Sequence, residues 1–275
     1  MRQRACYKNF HLIFILFTGQ RFVKNLHFAA CLAVGVTALF PLTSVANPEL
    51  KLNPFAGFYG QFATGYESNS FTNTTTRYEN FIPPEFISRG TNVAGNQTAS
   101  GMPLIVGVGY NFAVSEKWLL GVGVDYSFLS QTTSPFSARN PAFIGSRPAM
   151  GQQIKASDRV NLFLTAGYAA TQTDLLYAKV GYSNQQLQFS RPAQDSSTGY
   201  ALSGSQSGYV LGLGYRKVID GGLYVYAEAN YMQYAKVSLN GSTVTQSGGD
   251  RVVTNINQNP ASSAVTALIG LGYRF

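Results

Sequence analysis

Beyond residue 46 this chain has no cysteine and no histidine: Cys6, Cys31, His11 and His27 all lie in the first 46 residues. That excludes disulfides, thiol chemistry, Cys/His metal sites and any His-based triad from residues 47–275. Charge is scarce as well, at 12% of residues against the roughly 25% usual in soluble domains. No run of ~20 apolar residues occurs in residues 47–275, which argues against a helical membrane protein. The formal +8 is mostly a property of the N-terminus. Five of the 20 basic residues (Arg2, Arg4, Lys8, Arg21, Lys24) and no acidic residue fall in 1–46, leaving 15 basic against 12 acidic, a net +3. No nucleic-acid partner is expected from so small an excess.

What the chain does have is aromatic residues and glycine: 17 Tyr, 19 Phe and 28 Gly in 275 residues. Residues 1–46 read as an export region. Lys24 precedes the apolar run Phe28 to Phe40, and Ser44-Val45-Ala46 has the small-x-small cleavage pattern. The expected mature start is Asn47. Residues 1–22 read as an over-called extension, with translation starting near Val23 and 23–46 as the signal peptide. Phe28-Ala29-Ala30-Cys31 is a poor lipoprotein box, because too little apolar sequence precedes it.

In residues 47–275, eight strand signals recur between turn signals. They cover Phe58 to Tyr66, Pro103 to Phe112, Trp118 to Gln131, Asp158 to Tyr168, Leu175 to Phe189, Ser207 to Lys217, Leu223 to Leu239 and Ala264 to Phe275. Each is at or near the ~9–11 residues a tilted strand needs to cross a bilayer. Connections alternate in length. Ala113 to Lys117, Ala169 to Asp174 and Val218 to Gly222 are short; Glu67 to Met102, Thr132 to Ser157, Ser190 to Gln206 and Asn240 to Ser263 are long and polar. Alternate positions form one Leu/Val/Ala/Tyr face, as in Leu120, Val122, Val124, Tyr126 and Phe128. The other face is Gly, Thr, Asn and single charges, as in Gly121, Gly123, Asp125 and Ser127. The expected fold is all-β: an eight-stranded antiparallel up-and-down transmembrane β-barrel with short periplasmic turns and long extracellular loops.

Four strand ends share a pattern: Gly107-Val108-Gly109-Tyr110, Thr165-Ala166-Gly167-Tyr168, Gly212-Leu213-Gly214-Tyr215 and Gly270-Leu271-Gly272-Tyr273. A phosphate-cradling loop would need a following helix, and none is signalled. The glycines instead relieve crowding in a narrow barrel, while Tyr110, Tyr168, Tyr215 and Tyr273 form an interfacial girdle beside Phe275.

The chain resembles the small outer-membrane β-barrel proteins of diderm bacteria, the opacity-protein and OmpA/OmpX-like group. The resemblance rests on Gly57-Phe58-Tyr59-Gly60, the hairpin Gly107 to Tyr126, Leu175 to Tyr182, Gly208 to Tyr234 and Gly270 to Phe275. It implies the barrel fold, the bacterial outer membrane, contact with lipid and lipopolysaccharide, and recognition of Tyr273 and Phe275 by the barrel-assembly machinery. It implies no one activity, since such proteins include adhesins, ligand binders and structural proteins.

Asp125, Lys179 and Glu228 face the lumen by alternation. They read either as a plug of paired charges, because an unpaired buried charge is costly, or as the gate of a narrow pore. The expected pairing joins Lys179 to Glu228 or Asp125. Arg77, Arg89, Arg139, Arg147, Arg191 and Arg251, with Lys155, fall in the long loops against Glu67, Glu79, Glu85, Asp195 and Asp250. They read as solvated charge near lipopolysaccharide phosphate or as contacts to acidic host polymers. No cofactor, metal or enzymatic activity is expected. The two functions in view are a surface structural or adhesion protein acting through its loops, and a narrow pore or small-ligand carrier acting through its lumen.

Overall fold

A computed structural model describes residues 53–142, 148–193, 198–247 and 249–275. The export region 1–46 lies outside the described residues. The described residues contain fifteen strands: β1 (Gly57–Thr72), β2 (Thr75–Ile82), β3 (Glu85–Val93), β4 (Gln97–Gly101), β5 (Leu104–Ala113), β6 (Trp118–Ser127), β7 (Gln131–Thr132), β8 (Phe136–Ala138), β9 (Ala149–Ala169), β10 (Asp174–Arg191), β11 (Tyr200–Asp220), β12 (Leu223–Tyr234), β13 (Leu239–Ser247), β14 (Asp250–Gln258) and β15 (Ala261–Arg274).

Eight of them pair antiparallel on both sides, in the order β10-β11-β12-β15-β1-β5-β6-β9. A further ladder joins β9 to β10 from Leu175↔Ala169 to Ser190↔Gln153, so the path of hydrogen bonds returns to its start. Short turns link β5 to β6, β9 to β10 and β11 to β12. In the last, Gly221 takes a φ of +53°, a left-handed conformation that glycine adopts without strain.

These strands form because polar and apolar side chains alternate along them, but the sense of the alternation changes partway. On β10, Leu176, Ala178, Val180 and Tyr182 point out and are exposed, while Tyr177, Lys179 and Ser183 point in and are buried. Eight residues on, the inward positions are Leu187 and Phe189, and the outward ones are Gln186, Gln188 and Ser190. On β11 the outward row runs Ser203, Ser205, Ser207 and then Tyr209, Leu211, Leu213, Tyr215. Toward the short turns the barrel is apolar outside and polar inside; toward its other end the interior gains an apolar cluster, beside the buried amides of Gln152, Gln185, Gln206 and Gln258. That cluster joins Phe71, Ile154, Leu187, Phe189, Leu202, Leu239 and Ile256. At the changeover on β9, Asp158 has a φ of +51° and the register with β10 skips one residue, a β-bulge.

Three expectations are corrected. The segments Glu67 to Met102 and Asn240 to Ser263 are not open loops; they hold β2, β3 and β4, and β13 and β14. β2, β3, β13 and β14 form a separate four-stranded antiparallel sheet in the order β13-β14-β2-β3. Thr, Ser and Asn dominate these strands, so their composition resembles loops although their backbones pair throughout. The barrel strands also outrun their expected bounds: β9 begins at Ala149 and β11 at Tyr200, because both continue past the apolar band. β6 and β12 instead stop early, at Ser127 and Tyr234.

Candidate functional site

The lumen is built in layers. Nearest the short turns, Phe55 is buried with Leu119, Ala169, Leu175 and Tyr177. Residues 53–56 are tied there by Asn111 Nδ2, which donates to the Phe55 carbonyl at 3.0 Å, and by Asn53 Nδ2, which donates to the Glu116 carbonyl at 2.9 Å. Above lies Arg216, buried, with its guanidinium 4.3 Å from the Tyr224 ring centre, 4.7 Å from Tyr59 and 5.6 Å from Tyr177. Such stacking partly offsets the cost of burying a cation.

Next come the three charges expected from the sequence, which the structure brings together. Lys179 Nζ donates to Asp125 Oδ2 at 2.8 Å and to Glu228 Oε1 at 3.0 Å. The remaining carboxylate oxygens accept from Asn161 Nδ2 at 2.6 Å and Tyr177 Oη at 2.8 Å. Nearer the sheet end, Arg159 forms a bidentate pair with Glu67 at 2.8 and 2.5 Å. Glu67 is therefore corrected from a loop acid to a buried strand residue.

Among the described residues the interior thus holds Lys179, Arg159 and Arg216 against Asp125, Glu228 and Glu67, six buried charges summing to zero. Arg159 and Arg216 were missed by sequence reasoning. The signal for Arg216 was present: it shares the inward face of β11 with Val210, Gly212 and Gly214. The recurrent glycines make room for this layer. Gly214 sits opposite Tyr177, and Gly272 opposite Tyr224, in direct cross-strand register. A Cβ at either glycine would meet the tyrosine ring.

The outward surface carries an apolar band, with Leu213 70% and Ile269 68% exposed. Leaving such a side chain in water rather than burying it forgoes roughly 1.5–3 kcal/mol. Tyr110, Tyr168, Tyr215 and Tyr273 all point outward at the turn end. Tyr110 packs edge-on to Phe58 at 4.7 Å, Tyr168 to Trp118 at 5.1 Å and Tyr273 to Phe275 at 5.2 Å. Tyr215 donates to Asp174, which also accepts from Thr171, Thr173 and Lys217. These bonds, that from Thr171 first, hold the turn carboxyl of Asp174 well below the usual range. A second outward aromatic belt, with Tyr66, Tyr126, Phe128, Tyr182, Tyr209 and Tyr231, lies at the sheet end of the band. From Trp118 to Tyr126 is eight residues, about 26 Å along the strand at about 3.3 Å per residue.

The loop arginines are not brought into one patch. Arg77, Arg89 and Arg251 lie on β2, β3 and β14. Arg139 bridges its backbone to Val93, and Arg191 ends β10 with its guanidinium 6.0 Å from the Tyr200 ring centre. Arg147 lies outside the described residues. Among the described residues no group of three or more His, Cys, Asp or Glu could hold a metal ion.

No family model matches the chain. No curated protein matches it either. The structure is similar to those of small outer-membrane β-barrel proteins. The attachment invasion locus protein Ail of Yersinia pestis is 15% identical over 77% of this chain and 99% of its own, with a TM-score of 0.33. The outer membrane protein OprG from Pseudomonas aeruginosa is 15% identical over 80% and 96%, at 0.41. The outer membrane protease OmpT from Escherichia coli is 11% identical over 80% and 97%, at 0.42.

Proposed function

We propose that this chain is a non-enzymatic, surface-exposed outer-membrane protein whose eight doubly paired strands form a transmembrane barrel. It acts through the four-stranded sheet and the strand ends beyond the membrane. The observation that carries this reading is the change of polarity along single strands. Apolar-out with polar-in suits lipid; polar-out with apolar-in suits water. The side with short turns is then periplasmic, and the side with the second sheet extracellular. The two aromatic belts sit at the interfaces, and Tyr273 and Phe275 mark the strand end read by the assembly machinery. Lipid and lipopolysaccharide surround the band, and host surface molecules are the partners within reach of the sheet.

Single cysteines test the topology, because the barrel has none of its own. Ser242→Cys should react with a membrane-impermeant maleimide on intact cells, and Gln172→Cys only after the outer membrane is opened. Equal labelling of both would refute the orientation.

The pore reading is disfavoured by the apolar cluster at one end of the lumen and the Phe55 and Arg216 layers at the other. Purified protein in planar bilayers should show no stepwise conductance, with or without Glu228→Ala. Steady single-channel events that change with Glu228→Ala would restore the lumen as the working site.

A further inference from the structure

The register of the second sheet sets its outer face out as a grid. Across β3, β2, β14 and β13, Thr91, Arg77, Asn257 and Asn240 are directly opposed, then Arg89, Glu79, Asn255 and Ser242, then Phe86, Phe81, Val253 and Val244. Directly opposed residues share a face, so these twelve side chains lie on one surface. The other face carries Thr76, Ile256 and Gln258, which are buried. Arg77, Glu79, Asn240, Ser242 and Asn255 are exposed and help line a groove of about 590 Å³.

We infer that this groove binds a neutral oligosaccharide of two or three rings. Its volume lies within the range of small-ligand sites, roughly 300–1,000 Å³. An uncharged polyhydroxyl ligand needs donors and acceptors at short intervals, and each asparagine amide supplies both on one planar group. Asn257 is already oriented on both sides: its Nδ2 donates across strands to Asn240 Oδ1 at 2.5 Å, and its Oδ1 accepts from Asn259 Nδ2, two residues on, at 2.9 Å. The apolar row borders the groove at one end. Phe81 and Phe86 there pack edge-on at 5.7 Å and offer ring surface to the C–H face of a sugar.

Charge and area argue against other ligands. The groove itself is lined by one charge of each sign, Arg77 and Glu79, so its lining does not select a polyanion, although Arg89 and Arg251 lie on the same outer face. Four strands about 4.8 Å apart and three rows roughly 6.6 Å apart give a grid of roughly 400 Å². A stable protein interface needs about 800 Å² per partner. The inference rests on the proposed surface location only for which side of the membrane presents the groove.

The test uses purified protein in amine-oxide micelles and three probes: cellotriose, maltotriose and chitotriose, followed by saturation-transfer NMR. At least one should bind saturably. The double variant Asn255→Ala/Asn257→Ala should weaken it at least tenfold, and Phe86→Ala several-fold. If the double variant does not fold, Ser242→Tyr, which fills the groove from an exposed position, should give the same loss. The inference is overturned if none of the three binds, if binding survives these changes, or if dextran sulfate binds while the neutral sugars do not. Maleimide labelling of Ser242→Cys reports the location independently. Surface labelling without sugar binding would sink this inference and leave the surface reading standing.

Discussion

The two halves of β10 solve opposite problems with the same backbone. From Leu176 to Ser183 the strand buries tyrosine, lysine and serine and exposes leucine and valine; from Gln186 to Arg191 it buries leucine and phenylalanine and turns glutamine outward. A strand only fixes that side chains alternate; the medium on each side decides which set goes in. The apolar-out half holds internal ion pairs, with lipid outside on the proposed membrane reading. The outer half is held by burial of apolar surface, as in a soluble β-protein.

Substitutions can break that contrast in order of expected size. Lys179→Ala leaves Asp125 and Glu228 facing each other unneutralised, and should lower urea stability in lipid vesicles by roughly 3–5 kcal/mol. Adding Asp125→Asn and Glu228→Gln should recover most of the loss. No recovery would mean that packing rather than charge holds this layer. Leu187→Ala, in the outer half, should lower stability by roughly 2–5 kcal/mol through a cavity. A change under about 0.5 kcal/mol, the ordinary range for surface sites, would show that the outer core adds nothing.

Two outward positions on β11 give a sharper contrast. Leu213→Arg should destabilise by roughly 2–4 kcal/mol if that position is at the bilayer midplane. Ser203→Arg, ten residues away on the same face, should stay within about 0.5 kcal/mol. Similar effects at both would place the change of medium elsewhere. The smallest effect lies at the turn rim. Folding holds the Asp174 carboxyl below its ordinary value, about 3.9 for Asp, so its contribution is full above that value and fades as pH falls. The stability gap between parent and Asp174→Asn should therefore narrow between about pH 7 and about pH 3. A gap that stays constant with pH would show that the carboxylate's bonds to Thr171, Tyr215 and Lys217 add nothing.

The apolar-out half was legible in the sequence, because period-two alternation is read within one window. Leu120, Val124, Leu162, Leu164, Leu176 and Val180 all face outward as that alternation requires. The second sheet was not legible. β2 and β14 pair through Arg77↔Asn257 and Glu79↔Asn255, residues far apart in the chain, and their Thr and Asn content resembles that of a loop. Arg159 was missed at the boundary of the apolar-out half. It keeps the inward phase of Asn161 and Phe163, but it is the last residue to do so: the bulge at Asp158 resets the alternation toward residue 149, where Ala156, Ile154 and Gln152 point in, so Arg159 stood at the very edge of the readable pattern.

The insertion of Leu239 and Ile256 into the outer core fixes the second sheet to the barrel by side chains as well as by the chain connections. A binding surface on flexible loops must be ordered each time it is used, at about 0.5–1.5 kcal/mol for each immobilised side chain. Here the side chains stand on paired strands whose spacing is set before any partner arrives. Binding of the proposed ligand at this surface would then start with its entropy loss already met during folding, and changes at individual positions should show mainly as faster release rather than slower capture.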